Sequence, residues 1–195
     1  METTTWTVLD QAHDALRTAV QGVPDDGWAL PTPCSNWTVT QVLQHAAGDQ
    51  HGFAAAITGT GWPTEDPFAP SGTLTEAPAA LAEAAMQAAA AAWATVDADA
   101  AEVAVPVPPG SLAPAVGAGA CALDAAVHAW DIAVATGSPS PLTAPLAREL
   151  MAVAVQIVEP LRAFGAYAEA LPVADPTDDV EVLLAYLGRR ADWSR

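Results

Sequence analysis

Asp124, His128 and Asp131 are the ionisable residues of the stretch ALDAAVHAWDIA, residues 122–133. Their spacings are four and three. On a helix of 3.6 residues per turn, His128 stands about 40° and Asp131 about 20° from Asp124, on opposite sides. A carboxylate and an imidazole at i and i+4 on an alanine-rich helix are costly to bury unless they pair with opposite charge or bind a metal. The spacing admits both outcomes: an Asp124–His128 ion pair, extended to an arginine, or two ligands that a facing helix completes with a third. Two imidazole nitrogens and one carboxylate oxygen suit a divalent metal, Zn²⁺ first and Fe²⁺ or Ni²⁺ as alternatives, and leave coordination positions open.

The chain holds four histidines, His13, His45, His51 and His128, so each can be weighed. His45 sits mid-helix among Val42, Leu43, Ala46 and Ala47, and taken alone it is expected as a hydrogen-bonded core histidine rather than a ligand. His51 lies about 120° around the same helix and is expected at an edge or in solvent. His13 falls on an apolar stripe and is expected as a hydrogen-bonded core histidine. For Asp131 the expected role is an ion pair with an arginine or a helix cap; the sharper alternative is an acceptor that fixes a ligand histidine. There is no G-x-S-x-G, C-x-x-C, H-E-x-x-H or phosphate-cradling glycine loop. Ser35 follows Cys34, and no base can be placed beside either from sequence. Trp37, Trp62, Trp93 and Trp130 are expected in the core or as pocket walls.

The elements that must position these groups are helices. Trp6, Leu9, His13, Leu16 and Val20 share one face of a helix predicted from Thr5 to Gln21. VPDDGWALPTPCSNW, residues 23–37, reads as a loop. Thr38 and Gln41 form a capping box that opens a second helix ending near Gly59. GTGWPTEDPFAPSGT, residues 59–73, is a connection long enough to be functional. A third helix is predicted from Glu76 to Val96, then an extended crossover at 101–114 with a strand-like piece. The fourth helix carries the opening stretch and stops at Gly137. Thr143 to Phe164 forms a fifth, with Pro145 tolerated in its first turn and Pro160 kinking or ending it. A short helix from Asp178 to Arg190 closes the chain. The predicted fold is an all-α bundle of four main helices with long crossovers and short C-terminal additions, in one domain spanning residues 1–195.

Composition bounds the partners. Of 195 residues, 52% are apolar and 15% charged, as in packed globular proteins. Six arginines, no lysine and 23 acidic residues give a formal charge of −17, a field that disfavours nucleic acid and anionic membrane surfaces. No basic leader with an apolar core opens the chain, and no uninterrupted apolar run reaches the length of a membrane span. With two cysteines expected as reduced thiols, the expected location is the cytoplasm. The expected partner is a small-molecule substrate. An exposed alanine-rich face would also permit a homodimer.

PTPCSNWTV, VLQHAAG, DAAVHAWDIAVATG and DPTDDVEVLLAYLGRR occur in order along nearly the whole chain. Together they resemble an actinobacterial metal-binding family of the DinB-like superfamily, related to the N-terminal domain of mycothiol-dependent maleylpyruvate isomerase. The resemblance implies a DinB-like four-helix bundle holding a divalent metal between two histidines and an acid. In this sequence those positions are His45, Asp124 and His128. The isomerase branch carries Glu where this chain has Asp124, a shorter carboxylate that must draw its helix closer or reach the ion differently. Relatives use such a metal to activate a low-molecular-weight thiol, mycothiol-like, for transfer or isomerisation. A thiol-independent metalloenzyme of specialised metabolism and a non-catalytic metal or ligand carrier are the competing expectations. No catalytic residue beyond the metal ligands is assigned.

Overall fold

The computed structural model describes residues 6–195. Four helices form the bundle: α1 (Thr7–Gln21), α2 (Val39–Thr58), α3 (Pro78–Trp93) and α4 (Pro114–Thr136). A two-stranded antiparallel ribbon, β1 (Val103–Ala104) and β2 (Ser111–Leu112), lies in the α3–α4 crossover. The fold is all-α apart from this ribbon. The long α5 (Ala144–Arg162) packs on α4, and the short α6 (Asp179–Tyr186) packs on α5.

The helix starts follow their local chemistry. In α2 the predicted capping box forms: Thr38 accepts from the Gln41 backbone N–H, and the Gln41 side chain accepts from Thr38 N–H. α3 opens at Pro78, two residues after the predicted start. Proline suits the first helical position, and it keeps the preceding residue, Ala77, extended. α5 runs only two residues past Pro160, which removes a helical donor. The start predicted for α1, Thr5, lies outside the described residues.

α4 is the core helix, buried along nearly its whole length. It is long and apolar enough to cross a membrane by length and composition, yet 89% of that window is covered by the rest of the protein. Two glycines allow the close packing. A Cβ at Gly117 would meet the Trp93 ring at 2.8 Å, and one at Gly119 would meet Val153 of α5 at 2.4 Å. Trp93 is itself buried, with Trp6 edge-on at 5.6 Å between ring centroids and donating to the Trp93 carbonyl.

One polar knot ties three helices together. Gln50 of α2 is fully buried, accepts from His13 Nε2 of α1 at 2.8 Å and donates to the Cys121 carbonyl of α4 at 3.1 Å. His13 is thus the hydrogen-bonded core histidine expected from its stripe. The knot also sets the relation of α2 to α4: Gln50 lies beside Cys121 while His45 lies beside His128. The two helices run antiparallel.

Candidate metal centre

That antiparallel pairing brings His45 against Asp124 and His128. Asp124 Oδ1 lies 3.4 Å from His128 Nε2 and 3.7 Å from His45 Nε2. Donor atoms of the three residues all fall within 4.8 Å of one another. Bonds of about 2.1 Å to a tetrahedral divalent ion place donors about 3.4 Å apart, so the spacing suits such an ion with little adjustment.

The partners of the two rings fix their orientations. His45 Nδ1 donates to the Pro67 carbonyl at 2.9 Å, which leaves the Nε2 lone pair facing Asp124. His128 Nδ1 donates to Asp131 Oδ2 at 2.9 Å, and its Nε2 likewise faces Asp124. Asp124 Oδ2 is buried and has no hydrogen-bond partner among the described residues. A buried, unpaired carboxylate oxygen costs free energy unless something binds it. The donor chemistry, the aim of both rings and this orphaned oxygen all fit a cation.

Electrostatics separate the two histidines. Burial, followed by the neighbouring His128, depresses the His45 pKa to about 4, so its ring is neutral near pH 7. Burial opposes charge on His128 as well, but Asp124, Asp131 and Cys34 outweigh it and raise its pKa. Burial would raise Asp124; the two histidines hold it below the usual carboxylate range instead.

Two loops reach the centre. In PTPCSNWT, residues 31–38, Pro31 and Thr38 close an isolated antiparallel bridge, and Asn36 takes a left-handed φ of 74°. Asn tolerates that region better than most residues. This tight turn sets Trp37 against His45, with ring centroids 4.8 Å apart, and Cys34 behind His128. From the α2–α3 connection, Phe68 lies 5.5 Å from the His45 ring while remaining 64% exposed. Trp37 and Phe68 are therefore walls, whereas Trp62 is 56% exposed and is no part of the core. His51 is half-buried and lines a separate cavity bounded by Gly48, Pro67 and Glu76.

Asp131 fills both roles weighed for it. Fully buried, it accepts from His128 and from Arg189, whose Nε reaches Oδ1 at 3.0 Å and Nη2 reaches Oδ2 at 2.8 Å. Burial works against its charge, but Arg189 and His128 drive its pKa well below the ordinary value. Cys34 Sγ donates to Asp131 Oδ2 at 3.1 Å and accepts from Arg189 Nη2 at 3.4 Å. Arg189 arrives through Gly188, whose φ is 78° and where a Cβ would meet Ala168 at 2.7 Å.

Sequence reasoning singled out His45, Asp124 and His128, and the fold brings the three together. It missed Asp49, Cys34 and Arg189. Asp49 Oδ2 lies 3.7 Å from His45 Nε2, and its position four residues after His45 was a usable signal. Burial and the Asp124 charge raise the Asp49 pKa well above its ordinary value. Nothing local could have linked Cys34 or Arg189 to His128, which lie 94 residues and 61 residues away.

Residues 9–133 match the family of the mycothiol maleylpyruvate isomerase N-terminal domain. The chain belongs to that family. The match covers most of α1, all of α2 and α3 and most of α4, and so includes His45, Asp49, Asp124, His128 and Asp131; Arg189 lies beyond it. The family is metal-associated. Two uncharacterized proteins of Mycobacterium tuberculosis, from strains CDC 1551 and H37Rv, are each 34% identical over 184 residues, covering 92% of this chain and 94% of theirs. No solved structure matches.

Proposed function

We propose that this protein is a small-molecule enzyme whose divalent metal, Zn²⁺ by donor set, is held by His45, Asp124 and His128, and that it activates a low-molecular-weight thiol for transfer or isomerisation. The observation that carries the metal reading is the buried Asp124 Oδ2 left without a partner where two imidazole Nε2 atoms converge. The thiol reading comes from the family, whose description names a mycothiol maleylpyruvate isomerase. A bound divalent cation supplies Lewis acidity that lowers the pKa of a thiol and presents it as the nucleophilic thiolate.

The chain's own residues prepare that chemistry. Burial keeps His45 neutral, so its Nε2 offers a lone pair without first losing a proton. Asp131, clamped by Arg189, holds the His128 ring with Nε2 aimed at Asp124. Trp37 and Phe68 supply an apolar border that limits water near the nucleophile. Free Cys34 and Cys121 agree with a reducing, cytoplasmic setting.

The test is a panel of electrophiles with and without mycothiol-like thiols, run on metal-loaded protein and on His45→Ala. Turnover that requires both thiol and metal, and is lost in His45→Ala, is the expected result. Turnover without thiol would move the assignment to a thiol-independent metalloenzyme. Tight ligand retention with no turnover across the panel would make the protein a carrier.

A further inference from the structure

The metal-ligand reading rests on three residues, but the two facing helices carry four. α2 presents His45 and Asp49, and α4 presents Asp124 and His128. Each pair has the i, i+4 spacing that puts both side chains on one helix face. The order is reversed, His then Asp on one helix and Asp then His on the other. Because α2 and α4 run antiparallel, reversed order brings like types together: His45 lies 4.7 Å from His128 by ring centroids, and Asp49 and Asp124 each stand one helical turn from their own helix's histidine. His45 Nε2 is 3.7 Å from Asp49 Oδ2 and 3.7 Å from Asp124 Oδ1. One imidazole lone pair thus faces two carboxylates at equal range, from opposite helices.

Resting on the three-residue centre proposed above, we infer that Asp49 is a fourth protein ligand, so that the metal sits in a set of two histidines and two aspartates. Several observations point this way. The Asp49 side chain is largely buried, at 19% exposure, and faces His45 Nε2, the ring's Nδ1 proton being already committed to Pro67. Among the described residues no arginine salt bridge balances Asp49 or Asp124, although Arg189 does so for Asp131, seven residues after Asp124. A divalent cation at this buried point would give the two carboxylates and the two imidazole nitrogens a common partner, Asp124 Oδ2 included. With its second carboxylate the set is also harder than two nitrogens and one oxygen. That favours five-coordinate or six-coordinate binding of Fe²⁺ or Mn²⁺ alongside Zn²⁺.

The experiment measures Zn²⁺ and Co²⁺ affinity by competition with a chromophoric chelator, together with the visible spectrum of the Co²⁺ protein. Wild type is compared with Asp49→Ala, Asp49→Asn and Asp124→Asn, with circular dichroism confirming that each variant is helical. The expected result is binding about 100-fold weaker in both Asp49 variants, with a Co²⁺ spectrum changed in intensity because one protein oxygen has been lost. Unchanged affinity in both Asp49 variants, with affinity lost in Asp124→Asn, would overturn the fourth ligand and leave the three-residue centre standing. Weaker binding with an unchanged Co²⁺ spectrum would overturn direct ligation too, making Asp49 a residue that acts through His45. Failure of the wild-type protein to bind either ion would remove both readings. Should Asp49→Ala fail to fold, the near-isosteric Asp49→Asn carries the comparison.

Discussion

Two faces of His128 behave in opposite ways. Behind its Nδ1, Asp131 is buried and fully engaged by His128, Arg189 and Cys34. In front of its Nε2, the nearest charge belongs to Asp124, which keeps one buried oxygen without a partner. Both carboxylates sit on α4, seven residues apart, in the same low-dielectric interior. Saturated polar networks fix geometry, and unsaturated ones cost stability unless a ligand completes them. The rear network is structural in that sense, and the front is the place where a ligand belongs.

The comparison breaks most visibly through Arg189. Arg189→Ala strips the partner from a fully buried carboxylate, and equilibrium urea unfolding of metal-free protein should show a loss of about 3–5 kcal/mol. Asp124→Asn, which removes a charge already short of partners, should cost the metal-free protein clearly less. Equal losses would erase the distinction between the two faces. Cys34 sharpens the rear network further. Cys34→Ala deletes one hydrogen bond to Asp131 and should cost about 1 kcal/mol in the same unfolding experiment, with metal affinity little changed. A large loss of metal affinity would instead place Cys34 in the front centre.

The smallest effect concerns His13, the other buried histidine with a lowered pKa. Burial depresses it below the ordinary 6.5, the Gln50 hydrogen bond only partly offsetting this. Its folded form binds a proton less readily than its unfolded form, so stability falls as pH drops below about 6.5. His45 contributes in the same direction between its ordinary 6.5 and about 4, while raised His128 contributes the opposite sign. His13→Asn keeps a donor for Gln50 and cannot titrate. Between pH 6.5 and 5, wild type should therefore lose more stability than the variant, read from unfolding midpoints. Parallel curves would show that folding leaves the His13 pKa unshifted.

Much of this was legible in the chain itself. The capping box at Thr38, the stop at Gly137 and the polar stripe Asp124–His128 are local patterns, and local patterns survive folding. Spacing alone left ion pair and metal level at Asp124. Only the fold shows an oxygen without a partner. Asp131 illustrates the same limit, since its arginine proved to be Arg189, 58 residues on and delivered by the turn at Gly188. Cys34 reached His128 through a turn whose left-handed Asn36 carries no obvious sequence signal. Trp62 was expected in the core or as a wall and is mostly solvent-exposed, because the proline-rich connection places Phe68, not Trp62, beside His45.

The front face of His128 is where the proposed metal binds. Elemental analysis of untagged protein, purified without chelator, tests that most directly, combined with thermal unfolding under added Zn²⁺. About one equivalent of divalent metal per chain is predicted. At a hundredfold excess over its dissociation constant the ion should stabilise the fold by about 2.7 kcal/mol, and His45→Ala should abolish the gain. No bound metal, with unfolding of wild type and His45→Ala alike indifferent to Zn²⁺, would show that Asp124 and His128 are an ion pair and nothing more.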